Sequence, residues 1–336
     1  MTIEGQPRGD QSFWDGVGAT FPSLKGAAST RYYFQCEVTL WERFFPPLAN
    51  RLALKTDLWD EAKNTEILRW AAERGARPVG VDIAFDIVTG AREVLDGYQP
   101  GFVVSDVRTL PFGPGVFDLV YSMGTIEHFP NSEVAAQEIF RVLKPRGRAI
   151  IGVPNKLDPF LRPLLVHVLN KFGRYPYGME KSFTPRGLRR LLEQVGFRVT
   201  AQTGILFIPG WLRMADLWCH TRQSPLAAAT ALLVRPFAWC YRHLPMVRRH
   251  GYLIACVVEK PDASVPLDSE QQTTRITARG SAWSGNRPRE REDRSLGTTA
   301  WCLPCDRKPV VEGGTGPRSS LARPPRRSPS ASVETS

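Results

Sequence analysis

No uninterrupted apolar run in the 336 residues approaches the roughly 18–20 needed to span a bilayer, which excludes an integral helical protein as the reading of this sequence. The N-terminus, MTIEGQPRGDQSFWDG, has no cationic stretch leading into an apolar core, so no secretory signal is expected. Cysteine is sparse and irregularly placed, at Cys36, Cys219, Cys240, Cys256, Cys302 and Cys305, which argues against a disulfide framework and for a reducing cytoplasm. Acids are outnumbered: 33 Asp and Glu against 44 Lys and Arg leave a formal charge of +11, which suits anionic partners without choosing among them. No internal repeat is found.

What is present is a globular chain with appended ends. Residues 1–28 are rich in Gly, Ser and charge and predict a flexible arm. "STRYYFQCEVTLWERFF" then spaces Tyr33, Phe34, Glu37, Leu40, Trp41, Phe44 and Phe45 nearly as a helix would, stopped by Pro46-Pro47. Core packing is favoured for these aromatics over a substrate lid. From residue 51 to about 154, short apolar runs at 52–57, 78–82, 102–106, 117–123 and 148–153 alternate with helical patterns near 65–74, 88–95 and 132–143. That alternation predicts βαβ units and a parallel sheet, whose ligand belongs at the carboxyl ends of the strands.

"KSFTPRGLRRLLEQVGFRVT" encodes a helix with Thr184 as N-cap, Pro185 in the first turn and Gly196 as its stop. A strand from Phe197 and a late strand, "YLIACVVEK", follow, but about fifty residues separate them, far beyond an ordinary connection. The segment 204–250 therefore reads as an insertion. It sets Trp211, Met214, Ala215 and Trp218 on one helical face against Arg213, Asp216 and His220, and carries six arginines to a single acid. Such a pattern suits contact with anionic lipid or a lid over an apolar substrate; a packed subdomain or dimer surface is the plainer alternative. Residues 261–336, rich in Pro, Ser and Arg, predict a disordered tail. No aromatic platform interleaves its arginines, so a nucleic-acid role is disfavoured, and "WCLPC" at Trp301 lacks the strand and helix that a redox motif needs.

The ordered phrases "PVGVDIAFDIV", "VVSDVRTLPFGPGVFDLVYSMGTIEHF", "EIFRVLKPRGRAIIGVPN" and "YLIACVVEK" carry a resemblance: residues 51–260 are similar to the class I S-adenosylmethionine-dependent methyltransferases of the small-molecule type. The resemblance implies a Rossmann-like α/β fold, a seven-stranded mostly parallel sheet with its last strand antiparallel and helices on both faces. It implies a domain at 29–260, with S-adenosyl-L-methionine as cofactor. Asp82 would accept from the ribose hydroxyls and Asp106 from the adenine amino group, with Val107 nearby, Ile83 and Leu110 around the ring, and Met123 close to the methyl-bearing end.

The family's first turn is normally glycine-rich, because glycine lets the backbone approach the ligand; here it is "TDLWDEAKNT", longer and without glycine. Either side chains substitute, with Asp57 or Asp60 receiving the methionine ammonium, or the site is closed and the fold is a non-catalytic scaffold. Binding is favoured, since Asp82 and Asp106 keep their positions. Lys55 is expected to point outward or to be salt-bridged. Arg146 stands where relatives carry a second glycine. His128 has the chemistry of a general base for an acceptor hydroxyl and Glu127 that of its orienting partner; a divalent metal is not expected, as no further His/Glu cluster accompanies them. Asn155, Tyr175, Tyr177 and Lys181 are candidates for the acceptor pocket. The acceptor itself is expected to be small and hydrophobic or lipid-linked, met in the cytoplasm or at the inner membrane face. A nucleotide-cofactor oxidoreductase or epimerase is the weaker rival, lacking both pyrophosphate-binding glycines and a Tyr-x-x-x-Lys pair.

Overall fold

The apolar runs become strands because both of their faces are buried. The computed structural model describes residues 11–262 except 174, 176 and 179, all within the first of the chain's two units, Met1–Gln271. The tail beyond 262, with its Trp301 to Cys305 motif, and residues 1–10 lie outside the described residues. Among the described residues seven strands form one sheet: β1 Leu52–Lys55, β2 Arg77–Asp82, β3 Gly101–Val104, β4 Phe117–Met123, β5 Leu143–Pro154, β6 Arg198–Ile205 and β7 Leu253–Glu259. Their order is β3-β2-β1-β4-β5-β7-β6, with β7 antiparallel to both neighbours and the other pairs parallel.

Side chains alternate across this sheet, as the strand period demands. On β4, Leu119, Tyr121 and Met123 join one core, while Phe117 and Val120 join the other. The first core is covered by α2 (Ala28–Phe44), α4 (Ile67–Ala72) and α5 (Phe85–Val94); the second by α6 (Ser132–Val142) and α8 (Pro185–Val195). The aromatics of α2 mostly pack: Tyr32, Tyr33, Leu40 and Trp41 are buried. For α8 the local code reads true, since Thr184 Oγ1 accepts from the Gly187 N–H at 3.0 Å and Gly196 takes φ 114°.

Several expectations are corrected. Part of the expected arm is ordered: α1 spans Gln11–Thr20, held by Asp15 accepting from the Phe85 N–H at 2.8 Å, and Gly18 lies so close to α5 that a Cβ would meet Ile87 at 3.0 Å. The helix expected at 65–74 is present as α4, and an unforeseen short helix, α3 (Trp59–Lys63), precedes it, with Glu66 left-handed at φ 61° between them. There the Glu61 carboxylate accepts from the Leu68 N–H at 3.0 Å and so caps α4 internally. Arg146 occupies its glycine-type position at φ 62°, a conformation that costs a non-glycine residue roughly 1–2 kcal/mol. An unforeseen helix, α7 (Arg162–Lys171), follows β5. Between β6 and β7 lie α9 (Gly210–Thr221), α10 (Ala227–His243) and a 3-10 turn, Pro245–Arg249. No helix among the described residues is long and apolar enough to cross a membrane.

Because the chain runs outward from β1 through β2 to β3 and returns through β4, a crevice opens at the carboxyl ends of β1 and β4.

Candidate active site

That crevice holds a cavity of about 550 Å³. Its floor is the glycine-free turn. Leu58 explains how the turn is seated: its side chain fills the notch left by Gly80 on β2, where a Cβ would meet Leu58 Cδ2 at 2.4 Å. The Leu58 N–H donates to Asp82 Oδ2 at 2.9 Å, and the Thr56 N–H to the Tyr121 carbonyl at 3.2 Å. The glycine that permits close approach is in the neighbouring strand instead of in the turn.

Lys55, at the end of β1, is fully buried and salt-bridged, so the outward alternative is corrected. Its Nζ lies 3.0 Å from Asp57 Oδ1, 3.1 Å from Glu61 Oε2 and 3.4 Å from Asp60 Oδ2, and it donates to the Asp57 carbonyl at 2.9 Å. Burial opposes its charge, but Asp57, Glu61 and Asp60 together hold its pKa well above the lysine value. One cation against three carboxylates leaves the cluster acid-rich. Burial accordingly raises Asp57 and pushes Glu61 up to about 7, with Lys55 acting in the opposite sense. Asp57 and Asp60 both line the cavity.

Asp82 and Ile83 line it from β2. The two Asp82 oxygens each accept one backbone N–H, from Ala84 and Leu58, leaving lone pairs for a ligand's hydroxyls. Burial pushes its carboxyl up to about 6, against the pull of those two N–H groups. Asp106 also reaches the cavity, but its carboxylate is engaged by Arg108, with Nε at 3.0 and 2.9 Å from its two oxygens and Nη2 at 2.5 Å from Oδ2. Free acceptance from an adenine amino group is thus not what this carboxylate offers as it stands. Val107 and Leu110 are core residues, and neither side chain lines the cavity. Met123 is likewise in the core, packed so tightly over Gly152 that a Cβ there would meet its sulfur at 2.1 Å.

From the end of β4, Gly124, Glu127 and His128 complete one wall. The His128 ring meets Trp14 of α1 edge to face at 5.0 Å. Glu127 is 2% exposed, and its Oε2 has no hydrogen-bond partner. Burial, reinforced by Glu180, raises its pKa well above the usual carboxyl value, which favours the protonated form.

Of the acceptor candidates, Tyr175 and Tyr177 line the cavity, whereas Asn155 and Lys181 do not. Asn155 is buried and structural, donating to the Gly251 carbonyl at 3.0 Å and accepting from the Leu157 N–H at 2.9 Å. Lys181 closes the loop outside, its Nζ donating to the Pro130 carbonyl and its N–H to that of Glu127. Sequence reasoning missed Arg162, Glu180, Trp14 and Phe21, all of which line the cavity. Arg162 pairs with Glu180 at 2.5 Å, both nearly inaccessible, and its guanidinium lies 4.0 Å from the Tyr252 ring centre. Burial works against the Glu180 charge, yet Arg162 keeps its pKa below the usual carboxyl value.

Comparison with known proteins agrees with this geometry. A family model described as a methyltransferase domain matches residues 64–151. A demethylmenaquinone methyltransferase of Thermus thermophilus is 28% identical over 143 residues, 37% of this chain and 65% of the relative. The chain thus spans just under two thirds of that protein's length. A ubiquinone biosynthesis O-methyltransferase of Xanthomonas euvesicatoria is 26% identical over 164 residues, 47% of this chain and 68% of the relative. In fold, the chain resembles one from the complex between the Haloferax volcanii Trm112 methyltransferase activator and a methyltransferase, with TM-score 0.53, 19% identity, and coverage of 76% of this chain and 99% of the other. Strand order, the cavity at the carboxyl ends of the strands and the methyltransferase domain matched over residues 64–151 together support a class I S-adenosylmethionine-dependent methyltransferase.

Proposed function

We propose that the protein transfers the methyl group of S-adenosylmethionine to a hydroxyl oxygen on a small, predominantly apolar acceptor. One observation carries this reading: a single cavity joins carboxylates from three strand ends to a wall of Trp14, Phe21, Trp59, Tyr177 and Leu217, with His128 also lining it. The residues fit the cofactor. Asp82 has lone pairs for ribose hydroxyls, Ile83 offers an apolar edge to the base, and the acid-rich Asp57–Asp60 pair suits an ammonium.

When bound, S-adenosylmethionine supplies a methyl carbon made electrophilic by its sulfonium. What this chain contributes is alignment, exclusion of water and management of one proton. His128 would take the proton that the acceptor hydroxyl loses on methylation, the sulfonium leaving as a neutral thioether. Glu127, whose burial favours its neutral form, would offer a hydrogen bond in the same corner. One relative is named for demethylmenaquinone and the other as an O-methyltransferase of ubiquinone biosynthesis, and the second name, with the aromatic wall, supports a hydroxyl on an apolar skeleton.

The insertion supports a lipid-phase source for that acceptor. Helix α9 buries Leu212 and Cys219 together with Asp216 and leaves Arg213 half-buried, while Trp211, Met214 and Trp218 are 60, 44 and 52% exposed. Exposed Leu164 and Phe172 near α7 and Leu232, Leu233 and Trp239 on α10 add to the apolar surface. Arg222, Arg235, Arg242 and Arg249 are exposed in the same segment, and its single acid is the buried Asp216. Aromatic and aliphatic residues mixed with unopposed arginines fit an anionic bilayer surface. Met214 and Trp218 also line the cavity, so its rim belongs to this surface.

Calorimetric titration of S-adenosylmethionine and S-adenosylhomocysteine into the full chain tests the cofactor reading. Binding should weaken about 10- to 100-fold in Asp82→Asn, the scale of lost hydrogen bonds to a charged group, with thermal melting recorded alongside. A folded wild-type chain that binds neither ligand would bring forward the non-catalytic scaffold.

A further inference from the structure

The proposed chemistry leaves two cavity-lining cations without a task, Arg222, which is exposed and lies over the Trp218 ring, and Arg213, which is half-buried. Arg213 projects from α9, and its guanidinium lies 5.3 Å from the Tyr33 ring centre and 5.2 Å from that of Tyr252. Its Nε is buried without a hydrogen-bond partner, and among the described residues its guanidinium forms no ion pair. The other buried cations nearby are saturated: Lys55 by Asp57, Asp60 and Glu61, and Arg162 by Glu180 and Tyr175. A half-buried guanidinium flanked by two rings, with its Nε buried and unbonded, is placed to receive an anion.

The surroundings restrict which anion. Arg213 shares the cavity with Asp57 and Asp60, and Tyr33 stands in the field of both sides, its hydroxyl pKa raised chiefly by burial and then by Asp60, Glu37 and Asp57, and lowered by Arg213. Tyr177 likewise feels both Arg213 and Asp60. The cavity therefore presents an acid-rich side and a cationic side that the same tyrosines sense, the complement of a zwitterion. The turn after β1 leaves the negative end of such a ligand poorly served: its side chains are acidic, and the Thr56 and Leu58 N–H groups are already spent.

We propose that Arg213 binds the carboxylate of the amino-acid end of S-adenosylmethionine, with Asp57 and Asp60 holding the ammonium, so that α9 supplies from the insertion what a glycine turn would supply from the sheet. The inference rests on the cofactor reading above.

The test is titration, in the absence of any acceptor, of S-adenosylhomocysteine and of 5′-methylthioadenosine, which keeps the nucleoside and thioether but lacks the amino-acid end. The wild-type chain should prefer S-adenosylhomocysteine. Arg213→Gln should weaken S-adenosylhomocysteine about 10- to 100-fold, the scale of a charge-assisted hydrogen bond, and leave 5′-methylthioadenosine unchanged. Arg213→Lys should recover part of the loss, and melting curves check that both variants fold. Equal weakening of both ligands would make Arg213 a packing residue and overturn the proposal. No weakening of either would overturn it too, assigning the cation to an anionic group on the acceptor. If the folded wild type bound neither ligand, the cofactor reading itself would fail, and this inference with it.

Discussion

Replacing Lys55 with methionine removes the one cation from a cluster that otherwise contains only carboxylates. Lys55 is fully buried and lies within 3.4 Å of oxygens from Asp57, Asp60 and Glu61. Methionine fills a similar volume, so the main loss is electrostatic, and breaking a buried ion pair from one side costs about 3–5 kcal/mol. For a domain of this size that is roughly 6–20 °C in melting temperature. The cost should depend on pH. Glu61 titrates at about 7 in the fold against an ordinary 4.5, so between those values the folded chain binds more protons than the unfolded one, and stability falls as pH rises through that window. Without Lys55 the same carboxyls shift higher, and the falling limb extends above pH 7. Urea unfolding of Lys55→Met and wild type at pH 5 and pH 8 therefore predicts a small difference at pH 5 and a large one at pH 8. Equal differences at both values, or one below about 1 kcal/mol at pH 8, would refute the account of a cluster held by one cation.

The remaining predictions concern the ligand-facing surfaces. Trp211→Glu combined with Trp239→Glu changes two exposed side chains that do not line the cavity. In flotation at physiological salt, the wild-type chain should rise with vesicles containing anionic lipid and not with purely zwitterionic ones, while the double variant stays below with an unchanged melting curve; a wild type that never floats rejects the membrane reading. His128→Ala should lower the methyl-transfer rate to a phenolic acceptor about 10²- to 10⁴-fold, as loss of a general base does. Unaltered turnover would remove His128 from catalysis.

The strands were legible because burial on both faces writes a continuous apolar run, as in β4, and α8 was legible because Thr184 and Gly196 mark its ends in local code. Helix α1 was not, since what fixes it, Phe85, Ile87 and His128, lies some seventy or more residues away. Helix α7 fully buries only Arg162, exposes Leu164 and Val168 and leaves Leu165 and Leu169 half-buried, so no inward apolar stripe announced it. In the site, residue type alone misled for Asn155 and Lys181, whose partners are backbone carbonyls set by tertiary packing. Two signals were present and local. Arg108 stands two residues after Asp106 and claims its carboxylate, and the spacing of Lys55, Asp57, Asp60 and Glu61 packs three acids close behind a strand-end lysine.

Helix α9 joins these strands of argument, because its polarity has to be explained twice over. Its inward face sets Leu212 and Cys219 beside polar side chains with identifiable partners: Asp216 accepts from the Ser29 N–H at 2.8 Å and from Thr230, the His220 ring nitrogen donates to the Lys25 carbonyl at 2.9 Å, and Arg213 reaches the cavity. These contacts tie α9 to the start of α2 and to the site. Its outward face is apolar, and inward contacts supply no reason for that, since polar residues there would leave every one of them intact. Each exposed tryptophan forgoes burial worth roughly 25 cal/mol per Å² of apolar surface. An outer face of this kind gains its stabilisation only when something apolar covers it. With arginines around it and no exposed acid in the segment, a bilayer bearing negative charge would meet both requirements, and under the membrane reading proposed above the cavity rim at Met214 and Trp218 would open where a lipid-soluble acceptor resides.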